Sequence, residues 1–137
     1  MFAWSFLATG WWIYWGLLFR GLGNRFAWKE GYRRAVGCFT RGLAAAPQNA
    51  SLYYWRGTLY WRELGDPAQA EADLTRAIEL APHKMARAFL NRAFARWYTF
   101  PPNREGAAED FRAYLERGKD PYWRHVAQEH LEQLAAM

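Results

Sequence analysis

The hydrophobic pattern divides the chain into an apolar start and a periodic remainder. Phe2 to Phe19 is a run of eighteen residues without a charge, in which Ser5, Thr9 and the hydroxyl-tipped Tyr14 are the only polar side chains. With Leu22 beyond Arg20, the run makes about 30 Å of helix at 1.5 Å per residue, enough to span a bilayer, and it predicts one transmembrane helix over residues 1–22. Further along, small and large apolar residues recur at i, i+4 and i+7. That spacing marks one helix face, on which the small residue lets a neighbouring helix approach and the large one fills the gap. The predicted fold class is therefore all-α.

The periodic part repeats itself. Ala35, Phe39, Gly42 and Pro47 recur as Ala70, Leu74, Ala77 and Pro82, and a looser third copy carries Ala107, Phe111 and Tyr114. A second helix precedes each of these, in the related stretches Leu52-Tyr53-Tyr54-Trp55-Arg56-Gly57 and Ala88-Phe89-Leu90-Asn91-Arg92-Ala93, where Gly57 and Ala93 mark close helix contacts. Leu64-Gly65-Asp66-Pro67 reads as a helix end, a C-terminal glycine, an N-cap and a proline in the first turn of the next helix. Each unit is a helical hairpin of about 35 residues, and such units bury their apolar faces only by stacking. Tyr122, Val126, His130 or Leu131, and Leu134 share a stripe, so residues 122–137 form a final capping helix over a solenoid of about three hairpins in residues 23–121.

This pattern resembles tetratricopeptide repeats, most fully from Pro47 through Leu64-Gly65-Asp66 to Pro82, and more loosely over about residues 20–121. The resemblance implies a protein-binding domain whose first helices line a concave groove. Carried over by position, that groove would hold Tyr54, Thr58, Trp61 and Arg62 from the second unit with Leu90, Phe94, Trp97 and Tyr98 from the third, Phe94 serving equally well as core. The Lys and Arg residues that clamp peptide carboxylates in some chaperone-binding members are not seen to repeat at matching positions, which disfavours a chaperone-tail adaptor.

Composition and charge narrow the function. With 52% hydrophobic and 19% aromatic residues among 137, the chain has enough apolar material for one folded domain. Residues 20–41 hold Arg20, Arg25, Lys29, Arg33, Arg34 and Arg41 against Glu30 alone, while the remainder is balanced, so the net charge of +5 resides there. After an apolar helix, such a cluster places the repeats on the cytoplasmic side with the N-terminus outside, and assigns Arg20, Arg25, Lys29, Arg33 and Arg34 to anionic lipid. Trp4, Trp11 and Trp15 fall on one stripe of that helix, which reads either as lipid-exposed aromatics on a short tilted helix or as a face packing on other membrane protein subunits or a flat pigment-like cofactor. Nucleic acid is excluded as a partner, because the repeats are neutral overall and carry no reader motif.

Catalytic chemistry is missing. There is no phosphate loop, nucleophile elbow or zinc signature, and the acidic pairs Glu71/Asp73 and Glu109/Asp110 read as solvated outer surface. Cys38 stands alone as a small apolar helix residue, and His125 and His130, five apart, read as exposed helix histidines without metal-ligand spacing. No metal or cofactor is called for. The resulting expectation is a non-catalytic, membrane-anchored scaffold, an accessory subunit of a larger membrane complex. The alternative is a tethered adaptor or assembly factor that engages soluble clients transiently.

Overall fold

In the computed structural model, residues 2–137 are described, and they form seven helices: α1 (Phe2–Phe26), α2 (Lys29–Ala45), α3 (Ala50–Arg62), α4 (Pro67–Leu80), α5 (Ala86–Tyr98), α6 (Arg104–Arg117) and α7 (Pro121–Ala135). Consecutive helices pack as the hairpins α1–α2, α3–α4 and α5–α6, with α7 laid on α6. The starts of four helices are fixed by side chains that accept otherwise orphaned N–H groups. Asn49 takes the amide of Leu52, Asp66 that of Gln69, Asn103 that of Gly106, and Asp120 those of Tyr122 and Trp123. Gly65 holds φ +64°, the left-handed conformation that ends α3 and lets Asp66 and Pro67 start α4.

The apolar start is not a membrane span. Among the described residues no helix is both long and apolar enough to cross a bilayer. The 25 residues of α1 supply length, but four Trp, one Tyr, four Gly, Ser5 and Thr9 replace much of the aliphatic surface that lipid solvates. Instead α1 is the first helix of the first hairpin. A Cβ on Gly16 would lie 2.4 Å from the Phe39 ring, so only glycine permits this approach of α1 to α2. Ile13, Leu17 and Phe19 pack on the core of Tyr32, Ala35, Phe39, Leu43, Leu52 and Leu59. The transmembrane helix over 1–22, the outside N-terminus with cytoplasmic repeats, and the lipid role of Arg20, Arg25, Lys29, Arg33 and Arg34 all followed from that span and fall with it. Trp4 and Trp11 are 79% and 59% exposed and Trp15 is half-buried.

A second core lies farther along, where Leu74, Phe89, Leu90, Phe94, Phe111 and Tyr114 close around Ala70, Ala88, Ala93 and Ala107. Gly57 lets α3 approach α4, since a Cβ there would lie 2.9 Å from Asp73 Cβ. Polar bridges tie the stacked hairpins together. Arg56 donates to both carboxylate oxygens of Asp73 on α4, at 2.7 and 2.6 Å, and to Thr40 on α2 at 3.1 Å. Arg92 repeats the pattern one hairpin later, at 2.8 and 2.7 Å to Asp110 on α6 and 3.1 Å to Thr75 on α4. Arg96 adds bonds to Asp110 at 3.0 Å and Glu71 at 2.9 Å.

Asp73 and Asp110 are therefore buried, at 5% and 2% exposure, and are not the solvated surface that their positions in acidic pairs suggested. Asp110→Ala would leave the Arg92 guanidinium without its carboxylate and Arg96 with that of Glu71 alone, a loss of about 3–5 kcal/mol. The exposed neighbour Glu109, changed to Ala, should stay within about 0.5 kcal/mol of the parent. Chemical denaturation of the two variants checks the contrast.

Candidate functional site

One groove runs along the first helices of the hairpins and ends at the cap. Arg20 and Asn24 of α1, Tyr54, Trp55, Thr58 and Leu59 of α3, Arg62, Glu63 and Arg87 line one stretch. Tyr54, Trp61, Arg62, Arg87, Leu90, Asn91, Phe94 and Trp123 line the adjoining recess. Of the residues assigned to the groove from sequence, Tyr54, Thr58, Trp61, Arg62, Leu90 and Phe94 come together here. Tyr98 stacks on Trp61 at 5.9 Å and 12° and is 61% exposed. Trp97 turns to the cap, its ring 5.5 Å from that of His130. His130 itself is half-buried, in ring contact with Phe94 and Phe111 as well, and is not an exposed helix histidine.

A buried amide sets the shape of the wall. Asn91, 8% exposed, accepts from the Trp61 indole N–H at 3.1 Å and donates toward the hydroxyls of Thr58 at 3.4 Å and Tyr54 at 3.5 Å. Three predicted groove residues of α3 are thus oriented by one residue of α5. Trp61 also stacks on Phe94 at 5.2 Å, which fixes its ring plane.

The floor of the first stretch is polar and basic. Tyr32 donates its phenol to the Asn24 side-chain oxygen at 3.0 Å, which commits that oxygen and leaves the amide NH2 to donate. Burial, with Glu63 beside it, pushes the Tyr32 phenol above its ordinary range, so it stays protonated and keeps donating. Arg20, Arg62 and Arg87 line the groove against the single acid Glu63. Arg87 has a long, exposed pairing to Asp120 at 3.8 Å and lies 5.9 Å from the centre of the Trp123 ring. Solvent-exposed pairs of this kind hold an arginine weakly. The groove can therefore offer guanidinium and amide donors to an anionic chain, beside a recess walled by aromatic and aliphatic side chains.

Sequence reasoning missed Asn24, Arg87 and Asn91 and gave Arg20 to lipid. A signal was present: Arg20-Gly-Leu-Gly-Asn24 and Arg87-Ala-Phe-Leu-Asn91 place Arg and Asn four residues apart, on one helix face, in two first helices. Among the described residues no group of three or more His, Cys, Asp or Glu is placed to hold a metal.

Comparison with known proteins bears on the repeat fold. Residues 50–84 match the tetratricopeptide repeat family model. The chain is similar to the second TPR of Spaghetti (RPAP3) bound to the HSP90 peptide SRMEEVD, 34% identical with a TM-score of 0.61, covering 75% of this chain and 92% of that one. It is also similar to the second TPR domain of human RPAP3 in complex with the HSP70 peptide SGPTIEEVD, 28% identical with a TM-score of 0.71, covering 93% of this chain and 98% of that one. Among curated proteins it is 37% identical over 100 residues to RNA polymerase II-associated protein 3 of Xenopus tropicalis, covering 73% of this chain. The chain spans about 15% of the length of that relative. These matches identify a protein-interaction repeat domain, and the expectation of a non-catalytic domain holds on that ground.

Asn91→Ala removes the shared partner of Tyr54, Thr58 and Trp61 and leaves the indole N–H without its acceptor. The expected loss is about 1–3 kcal/mol. Red-shifted tryptophan emission in the folded variant, read with its denaturation curve, checks that Trp61 has been released.

Proposed function

Because the chain belongs to the tetratricopeptide-repeat family, we propose that it is an adaptor domain whose groove takes the acidic tail of a protein client. The observation that carries this reading is the placement of Arg20, Arg62 and Arg87, from three successive first helices, along one groove with Asn24. A peptide ending in Glu-Glu-Val-Asp offers three side-chain carboxylates and a terminal one, and charge-assisted hydrogen bonds from arginine are the strong kind for such groups. The recess beside the basic stretch, walled by Leu90, Phe94 and Trp123, suits an apolar side chain upstream of the acidic end. Similar domains that carry HSP90 or HSP70 peptides of this type support the assignment of the client class. A short peptide in an open groove makes a transient complex, which favours an adaptor or assembly factor over a permanent subunit.

Titration calorimetry with the peptide SRMEEVD tests this. Saturable binding that weakens as salt rises is expected, with Arg20→Ala and Arg87→Ala each reducing affinity about tenfold or more, since each removes a bond to a charged group worth about 1.5–3 kcal/mol. Binding that is absent, or indifferent to both substitutions, would overturn the reading.

A further inference from the structure

The groove of the first helices uses little of the charge concentrated in residues 20–41, and a second surface uses more of it. On a different face of α1, Trp11, Trp15 and Phe19 form one rail of a shallow groove, and Arg34, Gly37 and Arg41 of α2 form the other. These six residues line neither stretch of the groove described above. Positions 11, 15 and 19 are one turn apart, so the apolar rail runs about 12 Å. Arg34 and Arg41 are two turns apart, about 10.5 Å, and stand at the two ends of the facing rail.

Internal packing does not account for this surface. Trp11 is 59% exposed, although a large aromatic ring gains most from burial. Gly37 lies in the middle of α2, where glycine costs about 1 kcal/mol relative to alanine, yet a Cβ there would meet nothing within 4 Å. The glycine leaves an open floor between the two arginines. Arg41 lies 4.8 Å from the centre of the Trp12 ring, and Arg34 lies 5.8 and 5.6 Å from the centres of the Phe19 and Trp28 rings, contacts that leave their donors available, and the pairing of Arg34 to Glu30 at 3.8 Å is exposed. A second copy of this chain would bring the same arginine-rich face against itself, which charge repulsion opposes.

We propose that this face docks an acidic amphipathic helix of a protein partner, with an apolar side chain seated over Gly37 against Trp11 and Trp15, and carboxylates two turns apart paired with Arg34 and Arg41. The rails match the way a helix presents itself, with apolar anchors at i, i+4 and i+7 and acidic residues along their flank. This surface is independent of the client-tail reading. A chain with both could hold a tail in one groove and a second protein on the other face.

The test uses the full chain and a synthetic acidic amphipathic peptide of about four helical turns, with Leu and Trp anchors and flanking Glu, followed by fluorescence anisotropy. A charge-reversed peptide with Lys for Glu and vesicles of phosphatidylserine and phosphatidylcholine are run beside it. The acidic peptide should bind saturably and at least tenfold more tightly than its charge-reversed form. Gly37→Leu, which fills an open floor and so should keep the parent melting temperature and the parent response to SRMEEVD, should weaken acidic-peptide binding at least tenfold. Arg41→Glu should do the same, which keeps the test decisive should Gly37→Leu alter the fold. Equal binding of the two peptides, acidic-peptide binding unchanged in both variants, or binding to the vesicles in place of the peptide would overturn the proposal.

Discussion

The stacking of the hairpins depends on a buried bridge made twice. Arg56 and Arg92, each on the first helix of a hairpin, fork onto an aspartate of the second helix of the same hairpin and reach back to a threonine of the preceding one. An arginine has five donors in a fixed plane, so satisfying a carboxylate and a hydroxyl together fixes three helices relative to one another. Apolar packing alone would tolerate some sliding of helix on helix. Here sliding would separate a buried charge pair, and the penalty for that sets the register. Asp73 strengthens the proton hold of Arg56 by bonding to it, so the guanidinium of the bridge keeps its charge and its donors.

That register has consequences for the groove. Each first helix must present its arginine or asparagine to the same channel, and a shift of one residue would rotate those side chains by about 100°. Asn91 carries the constraint from α5 to α3, where it fixes Tyr54, Thr58 and Trp61. Tyr32 does so within the first hairpin, where it fixes Asn24. The groove is basic because its lining helices bring arginines from three places in the sequence, and a wall held by buried hydrogen bonds keeps them in place before a ligand arrives.

Much of the architecture was legible in the sequence. The recurrence of Ala35, Phe39 and Gly42 as Ala70, Leu74 and Ala77 gave the hairpin repeat, and all of these residues are buried. Gly65-Asp66-Pro67 makes the turn its residues imply. The first helix was misread because a charge-free run looks the same whether lipid or a neighbouring helix covers it. Its glycines at 16 and 23 were the distinguishing mark, since each meets a ring of α2. Asp73 and Asp110 were misread because a buried ion pair needs a partner that sequence distance hides, seventeen or eighteen residues away. Arg20 went to lipid because α1 had been set apart from the repeats, which also hid its match to Arg87.

The central claim is that α1 is the first helix of the solenoid and supplies Arg20 and Asn24 to a groove for an acidic tail. The most direct measurement is a 15N NMR titration of the full chain with SRMEEVD. The account predicts that the Asn24 side-chain amide, the Arg20, Arg62 and Arg87 guanidinium signals and the Trp61 indole shift together and saturate with one affinity. Shifts confined to α3 and α5, with Arg20 and Asn24 unmoved, would contradict it.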